Sequence, residues 1–150
     1  MRRTNPLGVR DQAAWLRTRY PGFTCTVENG LLTARGQLQP SPIAAVYDVV
    51  VEYRVGKWPK VFVPCNQLQP LEAGGKIPHT FGPTEPCLFY PSDESWRSDM
   101  RLADIILPKL SLWLEFYEMW RATGEWYGGG IPHGSVGGRI EEPVRNEPSL

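Results

Sequence analysis

The chain of 150 residues has only two histidines, His79 and His133, and three cysteines, Cys25, Cys65 and Cys87. No Cys-x-x-Cys or His-x3-His spacing occurs, so a zinc centre would have to gather four ligands from distant loops. Neither a metal nor another cofactor is expected. An odd, widely spaced set of thiols is no disulfide framework; it reads as free cysteines in a reducing compartment. Excess charge is missing too. Sixteen Lys and Arg offset sixteen Asp and Glu, which leaves no general grip on phosphate backbones or anionic lipid. Nucleic acid and membrane are therefore not expected partners. No apolar run reaches the ~18 residues of a membrane span. The opening MRRTNPLG lacks the apolar stretch of a secretory signal, so the expected location is the cytoplasm.

Aromatics are plentiful, with six Trp, six Tyr and five Phe, enough to build one domain's core at this length. Fifteen Gly and fifteen Pro require many irregular connections. The spacing predicts a helix over 7–20, with Thr4 or Asn5 as cap and Pro6 in the first turn; Ala13, Leu16 and Tyr20 share its buried face. Extended segments over 23–28 and 31–39 flank Asn29-Gly30, the strongest short hairpin signal because both residues tolerate positive φ. A third strand over 43–55 alternates, with Tyr47, Val49, Val51, Tyr53 and Val55 on one face and Asp48, Glu52 and Arg54 on the other. A short fourth strand over 61–63 completes an antiparallel meander.

From Pro64 to Trp96 proline and glycine exclude long regular elements, and a loop of that length in a compact domain is usually functional. Helical spacing resumes at Leu102, Ile105 and Ile106, and Pro108 predicts a kink or a second helix start. Leu110, Trp113, Leu114, Tyr117 and Trp120 line one side of the last helix, which Gly124 ends. The remainder reads as a Gly/Pro-rich arm. The expected organisation is one domain over 1–134 with a flexible C-terminal arm over 135–150.

The Glu85-Pro86-Cys87 run lacks the second Cys and the His-x-Glu of a zinc deaminase, and Gly128-Gly129-Gly130 lacks the Lys-Ser/Thr of a phosphate loop. Cys25, between Thr24 and Thr26 on a strand, and Cys65, just past another, read as packing or edge residues. Cys87 differs, because it lies in the long loop, eight residues after His79, and leads into Leu88, Phe89, Tyr90 and Pro91. On residue chemistry alone it is either a nucleophile or a buried structural thiol. As a nucleophile it could serve a papain-like hydrolase with His133, although Leu-Phe-Tyr-Pro cannot begin the helix that lowers such a thiol's pKa. It could also serve thioester transfer, in which the thiol needs no strong base.

The order of elements, together with Pro78-His79-Thr80, then Cys87-Leu88, Trp96 and Ser98-Asp99, resembles the ubiquitin-conjugating-enzyme (UBC) family over nearly the whole chain. In that family a His-Pro-Asn tripeptide precedes the active-site Cys by roughly ten residues, and a Trp follows just before a helix. The run from Trp113 to Trp126, followed by Pro132-His133-Gly134, resembles the bacterial branch encoded beside cyclic-oligonucleotide synthases in antiphage (CBASS) operons. The resemblance implies an α+β, UBC-like fold, with an N-terminal helix, a four-stranded antiparallel meander, a long active-site loop and C-terminal helices. It also implies that Cys87 is a thioester-forming catalytic thiol. The expected acyl donor is a protein C-terminus, that of the neighbouring synthase. By the same resemblance His79 shapes the active-site loop and Trp96 packs beneath it. The alternatives are an inactive UBC-like scaffold that binds a partner, and a cysteine isopeptidase using Cys87 and His133. The family's Asn is replaced, since Thr80-Phe81 follows His79; a backbone N–H, the Thr80 hydroxyl or His133 is left to act as oxyanion donor, a role commonly worth ~3 kcal/mol. Asp93, Glu94 and Asp99 are the candidates for orienting an incoming amine.

Overall fold

The computed structural model describes residues 5–89 and 96–128. In chain order these form α1 (Val9–Arg19), β1 (Thr24–Glu28), β2 (Leu31–Leu38), β3 (Tyr47–Tyr53), β4 (Lys60–Phe62), β5 (Thr80–Gly82), β6 (Glu85–Pro86) and α2 (Leu102–Thr123). The first four strands make the expected meander in the order β1-β2-β3-β4, with every pairing antiparallel. Asn29 and Gly30 both take positive φ, 50° and 76°, as the tight β1–β2 hairpin requires.

Register puts one apolar stripe on the core face. Leu32 pairs with Tyr53, Ala34 with Val51 and Leu38 with Tyr47, and all six are buried. Gly36 faces Val49 in the same stripe, and its missing side chain is what admits Phe23: a Cβ there would stand 2.3 Å from the Phe23 ring. Ile106, Leu107, Leu110 and Leu114 of α2 are fully buried in the same core, as is Leu16 of α1, which packs on β1, β2 and α2. Each such side chain contributes about 1.5–3 kcal/mol of burial.

Several expectations need correction. α1 starts at Val9 with Gly8 as N-cap, because Leu7 N–H instead donates to the Ser98 carbonyl at 2.9 Å and keeps the preceding chain out of the helix. β3 begins at Tyr47, since residues 41–44 close a turn (Ala44 N–H to Ser41 O, 3.0 Å), and Val55 lies beyond its end, exposed. The C-terminal helices expected around Pro108 are one continuous helix, α2. Pro108 is on the solvent side, and the buried residues before and after it belong to one core, so packing carries the helix through the missing N–H. Trp126, the first residue of the Gly/Pro-rich remainder and inside the expected domain, is buried in that core as well.

Gln12, fully buried on α1, joins the two helices. Its side-chain amide donates to Met100 O at 2.7 Å, and its oxygen accepts from Leu102 N–H at 2.9 Å. The second bond satisfies one of the orphan donors at the start of α2, whose N-cap residue Arg101 offers no side-chain cap.

Candidate active site around Cys87

The prolines and glycines after β4 leave room for only a short hairpin, β5–β6, which the sequence did not announce. It is tied to the end of β4 by Val63 N–H donating to Thr84 O at 2.7 Å. His79 immediately precedes β5, with φ 55°, a left-handed conformation unusual for a residue other than glycine. Its carbonyl accepts two hydrogen bonds, one from the Cys87 amide at 2.8 Å and one from the Trp113 indole Nε1 at 3.1 Å. The two residues singled out by their spacing, His79 and Cys87, are thus joined through backbone, and α2 holds the joint.

Cys87 follows β6. It is only 8% exposed, yet it stands apart from the main core and faces a groove of about 250 Å³. His79, Lys109, Leu112, Trp113 and Trp126 are among its other walls. The thiol donates to the Phe89 carbonyl at 3.0 Å. Burial pushes the thiol up to about 11; a hydrogen bond from the Phe89 backbone opposes this, and the charge of Glu85 adds to it. At neutral pH the resting group is therefore the thiol.

Trp96 is buried edge-to-face on Tyr53 of β3, with ring centroids 5.5 Å apart, in the packing role expected of it. The Thr80 hydroxyl donates to Ile77 O at 2.9 Å, so its one proton serves the turn rather than a reacting oxygen. Asp99 is paired with Arg97 at 3.1 Å. His133, Asp93 and Glu94 lie outside the described residues, as do the end of the domain at 134 and the arm over 135–150.

Of the other thiols, Cys25 is half-buried on β1 opposite Ala34, a packing position as expected. Cys65 is not. It is exposed, with φ 65°, in a turn shared with Asn66 at φ 56°, because the chain leaves the sheet at Val63.

The sequence assigns no site role to four groups at the groove, Lys109, Leu112, Phe116 and Trp126, the last two serving there only as part of the run that carries the family resemblance. Residues 109, 112, 113 and 116 have the spacing of one helix face, so the stripe was visible but not the loop it meets. Glu85, whose charge reaches the thiol, stands out in the sequence only as part of the rejected deaminase-like run. A second, larger groove of about 490 Å³ lies across the wall formed by Leu88 and Phe89, between Trp58 and Phe81. Among the described residues no group of three or more His, Cys, Asp or Glu could hold a metal ion, and no helix is long and apolar enough to cross a membrane.

An antiparallel meander covered by an N-terminal and a C-terminal helix defines an α+β protein, and the groove-facing Cys87, held on a turn, is its candidate nucleophile among the described residues. Residues 12–134 match the family of type II CBASS E2 proteins, and the chain belongs to that family. Membership gives it a conjugating-enzyme-like character and implies a protein partner within the CBASS system. No curated protein gives a significant match.

Proposed function

We propose that Cys87 accepts a protein C-terminus as a thioester and passes it to an amine, with the cyclic-oligonucleotide synthase of the system as acyl donor. The observation that carries this reading is the thiol itself: buried, but facing a groove, on a turn fixed by the His79 carbonyl in a chain of the CBASS E2 family. In the first step the Cys87 sulfur attacks the carbonyl carbon of an incoming thioester. A new C–S bond forms, the old one breaks, and the departing thiolate takes the proton that Cys87 gives up. In the second step an amine nitrogen attacks the same carbon. An N–C bond forms, the Cys87 C–S bond breaks, and the amine's proton returns to the thiolate.

A thiol with a raised pKa is a poor leaving group, so the bound acyl group resists water and waits for a positioned amine. That suits a carrier. The same burial favours the scaffold reading, in which Cys87 only packs, and the two are separated by adduct chemistry. With the co-encoded synthase supplied as a C-terminal thioester of a small thiol, wild-type protein forms a covalent species that thiol reductant destroys. Cys87→Ser forms one that resists reductant and falls to strong base, and Cys87→Ala forms none while still binding. Binding without any adduct in all three variants establishes the scaffold; cleavage of a conjugate by wild type establishes the isopeptidase.

A further inference from the structure

Gly124, the C-cap of α2, takes φ 82° and turns the chain back toward the Cys87 groove. Trp126 is buried there, its ring centroid 5.3 Å from that of Trp113, 6.1 Å from Phe116 and 5.2 Å from the His79 imidazole. Two residues on, Gly128 is pressed against the same rings: a Cβ would stand 2.6 Å from Phe116 and 2.7 Å from the Trp126 indole nitrogen. Trp126 and Gly128 both line the groove that Cys87 faces. Trp126 joins the core from beyond the last helix. Its neighbours include the residue whose left-handed backbone carries the Cys87 hydrogen bond.

We propose that Trp126 is a positioning residue for acyl transfer at Cys87, its indole bracing His79 in the turn that holds the Cys87 amide and closing one wall of the thiol's groove. This rests on Cys87 being the acyl-carrying thiol. Among the described residues, the charged or titratable groups around that thiol are Glu85 from β6, His79 before β5 and Lys109 from α2. None is altered when the indole is removed, so what changes is hydration of the groove and the set of the turn. Water then reaches the sulfur and favours its thiolate, while the carbonyl carbon of an acyl donor meets a less fixed nucleophile.

The test follows iodoacetamide labelling of each cysteine by peptide mass across pH 7–11.5 in the full chain, without any partner. In Trp126→Ala and in Gly128→Ala, where the new Cβ displaces the indole, the Cys87 labelling midpoint falls by about one pH unit from its wild-type value. Labelling at pH 8 then rises about tenfold. Cys25 keeps its wild-type rate, and Trp126→Phe, which keeps a ring against His79, follows wild type. In the adduct assay Trp126→Ala forms thioester at least about fivefold more slowly despite its more reactive thiol. An unmoved Cys87 midpoint, Cys25 rising in step with Cys87, or a Trp126→Phe chain behaving like Trp126→Ala overturns the proposal. Should Trp126→Ala not fold, Gly128→Ala carries the test. Absence of a wild-type adduct would sink the carrier reading alone, and labelling would still decide what Trp126 does to the thiol.

Discussion

Folding takes the Cys87 sulfur out of water, and that burial makes the native state disfavour the thiolate although the Phe89 backbone opposes the shift. The thiol rises to about 11, while in an unfolded chain it ionises near ~8.5. A group whose pKa is raised by folding leaves native stability whole below the unfolded value. Stability is lost as pH climbs through the window between the two, because the unfolded chain sheds the proton first. The native state should weaken from about pH 8.5 to 11, by up to roughly 3 kcal/mol from this thiol. Burial also raises Cys25, Tyr20 and Tyr47, which add to the slope in the same direction. Urea midpoints at pH 8 and pH 10.5 check this: Cys87→Ala should reduce the alkaline loss by about 2 kcal/mol. An equal loss in both proteins would mean that the sulfur is solvated. The sequence made Cys87 and His79 visible because their spacing matches a family pattern. It hid Trp126 and Lys109, whose meaning depends on which loop folds against α2, and local pattern does not carry that contact.

Among the elements, the strands were the most legible. Period-two alternation and Asn29-Gly30 specify β1–β3 with no tertiary information, and the errors lie at ends such as Ile43–Val46, where a turn competes. The β5–β6 hairpin, of three and two residues, is too short to show a period at all. α2 was misread at Pro108 because local rules weigh the lost N–H above the burial of Leu107 and Leu110, which in the fold outweighs it. The proline still carries a cost. It cannot donate to the Asp104 carbonyl one turn back, and it is exposed, so its replacement opens no cavity. Pro108→Ala should stabilise the chain by about 1–2 kcal/mol, the restored bond and relieved clash exceeding the added freedom of the unfolded chain. A shift in the denaturation midpoint at constant slope measures it. A loss instead of a gain would show that the proline sets a bend on which the packing of α2 depends.

For the molecule as a whole, the candidate site and the core are built to different strengths. β3 is hydrogen-bonded on both sides and covered by fully buried side chains. Among the described residues, the β5–β6 hairpin is tied to that body by bonds that include Val63 N–H to Thr84 O and Trp113 Nε1–H to His79 O, while Cys87 N–H to His79 O closes the hairpin's own base. A unit fastened at its base in this way should open without unfolding the rest, as the proposed acceptance of a protein C-terminus needs. Native-state hydrogen exchange should therefore resolve two levels. Amides of β3 exchange only through global unfolding, whereas the Cys87 amide exchanges through an opening about 2–4 kcal/mol less costly. Trp113→Phe keeps an aromatic ring in place but removes the indole donor to His79. It should speed exchange at the Cys87 amide by about tenfold relative to the β3 amides, because one neutral hydrogen bond worth about 1–1.5 kcal/mol is lost from the closed state alone. If Cys87 and β3 exchange at one free energy in wild type and move together in Trp113→Phe, the hairpin is an integral part of the core. The proposed acyl donor would then have to reach the thiol through a groove that does not open.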